Sequence, residues 1–298
     1  MYRDSGEVAY AVRPAGGRAA VELRIQQQMD AEDLCAIFDD AWLGSRVWEA
    51  TTTFCDRLCG DQPLVPALAG STVLELGAGT GIGGLVAAAL GAADVVTTDM
   101  ESPQGTLNLI RHNIELNSEA IAAAQPTVAA APRLRAAPLD WTAAPSAAWR
   151  AEFEPAAGFD TILAAECIYT GIESGEAAAG GEQREVWRAL AETICALARP
   201  HTAVFVCSKE RGMQLHDSSD DEEVSEGSRP EPAADGCGDE GASSGSLVVD
   251  FTQHMERECG FGVEVLSRPP EGGQRLGGLW LLRMQRHASD QEEPEPET

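Results

Sequence analysis

Short runs of apolar residues alternate along the chain with longer segments in which apolar residues recur every three or four positions. The runs are typical of buried strands, and the wider spacing is typical of helices packed on a sheet. The predicted strands lie at residues 73–76, 94–99, 134–141, 159–165, 202–207, 261–266 and 278–284. The predicted helices lie at residues 47–58, 85–90, 104–117, 182–198 and 247–259. This alternation predicts an α/β fold, an open twisted sheet of seven strands with helices on both faces.

The first 40 residues follow a different pattern. Apolar and polar residues alternate at residues 8–12 and 20–25, on either side of the turn-forming residues 14–17. Alternation on both sides of a Pro/Gly turn predicts a β-hairpin. We therefore expect an N-terminal extension at residues 1–40, whose role the sequence does not assign, and a main domain at residues 41–287.

The acidic residues are concentrated in two segments. The chain has a net charge of -27, and residues 215–246 with the tail 288–298 account for -14 of it. Neither segment has enough apolar residues to fold by itself, so we predict a disordered insertion and a disordered tail. The insertion is either a solvated surface segment, which we favour, or a site that recruits a basic protein. A chain this acidic is not expected to bind nucleic acid or anionic membranes directly.

The eight cysteines are scattered, without any C-x-x-C pair, and we recognise no secretory apolar segment. They are predicted to be reduced thiols, and no metal site is predicted. No apolar run approaches the roughly 18 residues that span a bilayer. We expect a monomeric intracellular protein, cytoplasmic or also nuclear.

A glycine-rich turn follows the first strand of the main domain. Gly79, Gly81 and Gly84 fit the G-x-G-x-x-G of dinucleotide-binding proteins, but the glycine directly after the strand is Gly77. The turn therefore has the spacing E-x-G-x-G-x-G, which resembles S-adenosylmethionine (SAM) enzymes. Glu75 would repel a pyrophosphate but would suit a positively charged ligand, so we include it among the cofactor-binding residues.

Acidic and aromatic residues follow the next two predicted strands. Asp99 ends the second strand, 22 positions after Gly77, where a carboxylate can accept both hydroxyls of an adenosine ribose. Asp140 and Trp141 end the third strand. An aromatic ring can stack on adenine, and an acid can accept its amino group.

The fourth strand ends in small residues followed by a polar pair. Ala165 would allow a cofactor to approach closely, and Glu166 and Tyr169 could line a channel for the methyl acceptor. This strand is expected to lie beside the glycine-turn strand, at the point of an open sheet where ligands bind. Trp48 either packs in the core or closes over the pocket, and the sequence does not choose between these positions.

Together these motifs resemble class I SAM-dependent methyltransferases, and among them the protein-lysine methyltransferases of the methyltransferase-like 21 group in methyltransferase family 16. The resemblance covers about residues 40–287 without the acidic insertion. The matching positions are Val47-Trp48-Glu49-Ala50, the segment from Glu75 to Gly81, Asp99, Leu139-Asp140-Trp141, and Glu166 with Tyr169.

The resemblance implies a Rossmann-like seven-strand fold and SAM as the cofactor. It implies SAM contacts for Trp48, Gly77, Ala78, Gly79, Asp99, Trp141 and Ala165. It also implies methyl transfer to the amine of a protein lysine that Glu166 orients and Tyr169 encloses. Many members have Asp where this chain has Glu166, and related histidine methyltransferases carry Glu there, so histidine is an alternative acceptor.

Two further alternatives come from other classes of protein. A SAM-fold module without turnover is disfavoured because the glycine turn, Asp99 and Glu166 are all present. A nicotinamide-dependent oxidoreductase is disfavoured by Glu75 and by the lack of a second recognisable catalytic set.

Overall fold

The computed structural model describes residues 6–14, 19–27, 43–59, 64, 68–101, 105–125, 131–169, 186–209, 246–269 and 279–287. Its strands are β1 (Glu7–Val12), β2 (Val21–Gln26), β3 (Thr72–Leu76), β4 (Asp94–Asp99), β5 (Arg133–Pro138), β6 (Thr161–Ala165), β7 (Ala203–Lys209), β8 (Phe261–Ser267) and β9 (Leu279–Arg286). Its α-helices are α1 (Glu49–Cys59), α2 (Ile82–Ala89), α3 (Thr106–Ala123), α4 (Ala147–Phe153), α5 (Val186–Leu197) and α6 (Leu247–Arg257). A short 3-10 helix, Leu43–Ser45, precedes α1.

The main sheet has seven strands in the order β5-β4-β3-β6-β7-β9-β8. The first five are parallel, whereas β9 pairs antiparallel with β7 and with β8. After β5 the chain crosses over β4 and β3 to form β6, so the strand order reverses between β3 and β6. In open α/β sheets, this reversal opens a crevice at the carboxyl ends of the strands. The predicted pairing of the fourth strand with the glycine-turn strand is confirmed.

Apolar side chains cover both faces of this sheet. One core contains α1, α2 and the inner face of the N-terminal hairpin. The other contains the buried residues of α4, α5 and α6. The central strand β3 is buried on both faces, as its mostly apolar sequence predicts, and its one acidic residue, Glu75, is buried with it. The predicted open α/β sheet with helices on both faces is therefore confirmed.

The N-terminal hairpin is also confirmed, with β1 and β2 antiparallel over six residue pairs. Val21, Leu23 and Ile25 are buried, while Glu22 and Arg24 between them are exposed. Burial of alternate residues is the pattern of a strand with one face against the core. The hairpin is thus part of the packed domain.

Two sequence predictions change. The helix predicted to end at Asn117 continues to Ala123, because Asn113 and Asn117 bond the edge of β2 and Ile121 is buried. The third strand of the main sheet, predicted at residues 134–141, ends at Pro138, so Asp140 and Trp141 lie just after it. The acidic insertion, except for Ser246, and the acidic tail lie outside the described residues.

Within the described ranges, no helix is long and apolar enough to cross a membrane. Six cysteines fall in these ranges, and all six are free thiols. Four of them are buried, and the free thiols agree with the prediction of reduced cysteines.

Candidate functional site

The glycine turn after β3 forms the floor of the site. Gly77, Gly79 and Gly81 have φ angles of 60°, 55° and 81°, in the left-handed region that favours glycine. A Cβ at Gly77 would lie 2.9 Å from the Trp141 ring and 2.7 Å from the Cys167 sulfur. The turn is therefore closely surrounded on this side, and only its backbone is left to face a ligand.

Glu75 lies beneath the turn and holds the start of α2. The N–H of Gly84 donates to Oε2 of Glu75 at 2.9 Å, and a Cβ at Gly83 or Gly84 would overlap the Glu75 carboxyl group. Burial raises the pKa of Glu75 to about 8, although the N–H groups of Gly84 and Gly83 lower it. These contacts give Glu75 a role in shaping the turn, and its direct contact with a cofactor stays a prediction.

The buried Glu75 predicts a pH-dependent stability. As the pH rises above the ordinary value of 4.5, Glu75 ionises in the unfolded chain but stays protonated in the folded one up to about 8. The unfolded state then binds fewer protons, so the free energy of unfolding falls across this window, by at most about 1.4 kcal/mol per pH unit. Urea denaturation of Glu75→Gln between pH 5 and 8.5 should show a flatter dependence than the unsubstituted protein, and two parallel curves would contradict this assignment.

Asp99 stands beside the turn at the end of β4. Its Oδ2 accepts the N–H of Gly79 at 2.7 Å, and its Oδ1 accepts the N–H of Met100 at 2.8 Å. Burial raises the pKa of Asp99, and these two hydrogen bonds lower it. An ionised carboxylate has about four acceptor positions, so two remain for the hydroxyls of a ribose.

The segment before α1 passes over the other side of the turn. A Cβ at Gly79 would lie 2.8 Å from the carbonyl oxygen of Gly44, so two glycine backbones pack directly on each other. Trp48 follows on this segment and is half-buried, with the Arg46 guanidinium 4.7 Å from the centre of its ring. This position beside the turn favours the interpretation that Trp48 borders the site.

Trp141 approaches the turn from the end of β5. Its ring faces Gly77, and its Nε1 is buried without a hydrogen-bond partner among the described residues. Buried polar atoms usually have a partner, so this N–H is open to an acceptor on a ligand. The glycine cradle, the remaining acceptor positions of Asp99 and this N–H together fit an adenosine-containing cofactor.

Ala78 is buried, and its N–H donates to the carbonyl of Thr98 at 2.9 Å, which ties the turn to β4.

Glu166, directly after β6, has an unusual backbone. Its φ of 60° makes it the one non-glycine residue in the left-handed region within the described part of the chain. Such a conformation costs about 1–3 kcal/mol and is concentrated at functional sites. The N–H of Glu166 donates to Cys207 at 2.8 Å, and its Oε1 accepts the N–H of Lys209 at 2.7 Å. The end of β7 therefore fixes both the backbone and the carboxylate of Glu166.

Ala165, Cys167 and Tyr169 lie close to Glu166 in the sequence. The Cys167 sulfur lies 3.3 Å from the carbonyl oxygens of both Leu76 and Ala165, between which its one hydrogen is shared, and so it joins the ends of β3 and β6. Ala165 and Tyr169 are both half-buried, and Tyr169 is the last described residue of this segment. Cys167, which lies between Glu166 and Tyr169 in the sequence, thus packs against the glycine turn.

Acidic groups converge on this end of the sheet. Burial, followed by the nearby carboxyl groups of Asp99, Glu166 and Glu75, raises the pKa of the Cys167 thiol well above its usual range. Cys167 therefore stays protonated and adds no negative charge to the site. A sulfonium or an ammonium group suits such a pocket, whereas a pyrophosphate does not.

Asn113 is a site-supporting residue that sequence reasoning missed. It is fully buried, and its side-chain amide donates to the carbonyls of Gln26 at 3.0 Å and of Thr80 at 2.9 Å. Its Oδ1 accepts the N–H of Gln26 at 2.8 Å. Gln27, the next residue, accepts the N–H of Val47, so the hairpin contacts both the glycine turn and the Trp48 segment. The sequence did contain a signal for this role, because Asn113 is a polar residue among the apolar positions of α3.

We expect Asn113→Ala to lower the free energy of unfolding by about 2–4 kcal/mol, because it leaves three backbone groups without partners. It should also weaken cofactor binding, since Thr80 belongs to the glycine turn. Denaturant unfolding and calorimetric titration would measure both effects. The control is Asn108→Ala, an exposed position on the same helix, expected to change stability by less than about 0.5 kcal/mol. Equal effects of the two substitutions would contradict the role of Asn113.

Comparison with known proteins gives one family match. The family model described as lysine methyltransferase matches residues 23–223, which include every residue named in this description of the site.

Solved structures with likeness to this chain include a SAM-dependent methyltransferase from Aquifex aeolicus, at 13% identity with a TM-score of 0.42, covering 86% of this chain and 98% of that one. An O-methyltransferase from Bacillus cereus shows 14% identity and a TM-score of 0.43, with 86% of each chain covered. A ribosomal protein L11 methylase from Lactobacillus delbrueckii subsp. bulgaricus shows 14% identity and a TM-score of 0.41, covering 80% of this chain and 78% of that one. At this level of likeness, none of them bears on substrate or mechanism.

Proposed function

This chain belongs to the lysine methyltransferase family, and from that membership we propose that it methylates a lysine side chain of another intracellular protein. It is a SAM-dependent methyltransferase, and its cofactor is S-adenosyl-L-methionine. The lysine acceptor, the protein substrate and a cytoplasmic location are the proposed part. When bound, SAM supplies an electrophilic methyl group on a sulfonium.

The cofactor side of the site would be formed by β3, β4 and β5. Asp99 would accept the ribose hydroxyls with the lone pairs that Gly79 and Met100 leave unused. Trp141 would cover the adenine, and Gly77 and Gly79 would let the backbone approach the cofactor. Trp48 would border the same pocket from the Gly44 side, and Ala165 from β6.

The acceptor side would be formed by Glu166 and Tyr169. The observation that carries the proposal is the left-handed Glu166, whose carboxylate is held by the N–H of Lys209. One carboxylate oxygen is committed to that bond, and the group is therefore oriented before an acceptor arrives. A fixed anion next to the cofactor cradle can hold an amine in line with a methyl donor, and such positioning supplies most of the rate in a simple displacement.

The acceptor amine must be uncharged to attack. A free lysine has a pKa of about 10.4. Desolvation of the acceptor lysine between Tyr169 and the Trp48 segment would favour its neutral form. Glu166 would then accept a hydrogen bond from the amine and keep its lone pair directed at the methyl group. A histidine acceptor would use the same geometry, because its neutral ring nitrogen also has one lone pair.

The test is methyl transfer from labelled SAM into a lysate of the source cells, followed by mass spectrometry of the labelled protein. A methyllysine on one protein is the expected result, and methylhistidine would contradict the lysine assignment. Asp99→Ala is the control. Loss of two hydrogen bonds to an ionised acceptor, at about 1.5 kcal/mol each, should weaken SAM binding roughly 100-fold in calorimetric titration. If the chain bound SAM but labelled no protein, the result would favour the alternative of a SAM-binding module without turnover.

A further inference from the structure

Lys209 is distinguished by its place in the sequence and in the sheet. It is the only lysine in the 298-residue chain, and it is the last residue of β7. Since β7 is the neighbour of β6 on the side away from β3, Lys209 lies one strand beyond Glu166. The cofactor side of the site lies in the other direction, towards β4 and β5. The backbone of Lys209 therefore lies on the acceptor side of the site.

The backbone of Lys209 is bonded to the group that would orient the acceptor amine. Its N–H donates to Oε1 of Glu166 at 2.7 Å. The lysine side chain therefore begins at a backbone position that directly contacts this carboxylate. Four rotatable bonds separate its Nζ from the backbone, which lets the ammonium reach different sides of the strand end.

The observed partner of Nζ lies on the segment that carries Trp48. Nζ donates to Oε2 of Glu49 at 3.1 Å, and Glu49 directly follows Trp48. The side chains of Lys209 and Glu49 are 39% and 81% exposed, so solvent screens the pair and its release costs little. The ammonium is thus held at the start of α1, directly after Trp48 in the sequence, by a contact that it can leave.

We propose that Lys209 is a methyl acceptor of this enzyme, modified within the same molecule when no protein substrate fills the acceptor channel. The inference rests on the proposed lysine methyltransferase function. The ammonium first loses a proton to solvent. The neutral Nζ then attacks the methyl carbon of SAM, a C–N bond forms as the S–CH3 bond breaks, and S-adenosylhomocysteine leaves as a neutral thioether. Methylation keeps the positive charge on Nζ and removes one hydrogen-bond donor.

The experiment uses the purified full chain and SAM with a deuterated methyl group, with intact-mass measurement before and after incubation and peptide mapping around residue 209. Because the chain has one lysine, any methyllysine in it identifies the site. We expect up to one modified lysine per chain, at a fractional rate that does not change on dilution. Lys209→Arg and Asp99→Ala should both lose the signal, and a methyl group already present after purification should be missing from Asp99→Ala.

A second variant tests the role of the ion pair. Glu49→Gln should raise the rate of Lys209 methylation by up to about fivefold, the factor that corresponds to an exposed ion pair. An unchanged or lower rate would contradict the view that Glu49 holds the ammonium away from the methyl donor.

The proposed function and this inference fail in different ways. Label on lysate proteins together with an unmodified Lys209 would overturn the inference and leave the function intact. Label on Lys209 at a fractional rate that falls on dilution would overturn the intramolecular step. No label on any protein, despite measured SAM binding, would overturn both proposals.

Discussion

Glu166→Ala is expected to lower kcat for methyl transfer by about 100-fold or more while the Kd for SAM changes less than about threefold. The carboxylate is fixed by the N–H of Lys209 on the acceptor side, and the cofactor cradle is built from other residues. Loss of a positioned group that aligns two reactants typically costs a factor of this size. Single-turnover kinetics with saturating SAM would measure the change, and calorimetry would measure binding.

The control for this substitution is Glu166→Gln. The glutamine carbonyl can still accept the N–H of Lys209, so the backbone geometry is retained and only the charge is lost. We expect an intermediate decrease in kcat, about tenfold. If Glu166→Ala kept kcat within about twofold of the unsubstituted enzyme, Glu166 would not orient the acceptor.

Gly79→Ala is expected to weaken SAM binding by about 10- to 100-fold. Gly79 has a φ of 55°, and a Cβ there would lie 2.8 Å from the carbonyl oxygen of Gly44, which is backbone and cannot rotate away. The left-handed conformation costs alanine about 1 kcal/mol, and overpacking costs about 1–3 kcal/mol more. The structure can relieve this strain by shifting the segment that carries Trp48. It can also shift Gly79 away from Asp99, which weakens the hydrogen bond between them. Either movement disturbs the cofactor side of the site.

Gly70→Ala separates backbone strain from this contact. Gly70 precedes β3 and has a φ of 79°, but a Cβ there would meet nothing within 4 Å. It should lower stability by about 1 kcal/mol and leave SAM binding within about twofold. Calorimetric titration of both variants, after unfolding curves have shown that they are folded, makes the comparison. Similar losses of SAM binding in both would indicate that the Gly44 contact is unimportant.

The arrangement of strands was largely readable from the sequence. Each strand of the sheet has its own local apolar run, and the carboxyl ends of parallel strands meet at one edge. The glycine turn, Asp99, Trp141 and Glu166 could therefore be assigned to one site before any coordinates. The end of α3 could not be predicted from the sequence. Asn117 is a common residue at helix ends, but here it stays inside the helix because its side-chain amide donates to the carbonyl of Arg24.

The sequence by itself determined the α/β order, the glycine turn and the residue types at the strand ends, because these depend on periodicity and on steric limits within a few neighbouring residues. Tertiary structure alone decided what each polar group bonds to. Asn113 reaches Thr80, Glu75 holds the start of α2, and Lys209 meets Glu49 across 160 positions of sequence. It also imposed the left-handed conformation on Glu166, through bonds from the neighbouring strand β7. Local propensity disfavours that conformation, and only packing between distant segments stabilises it.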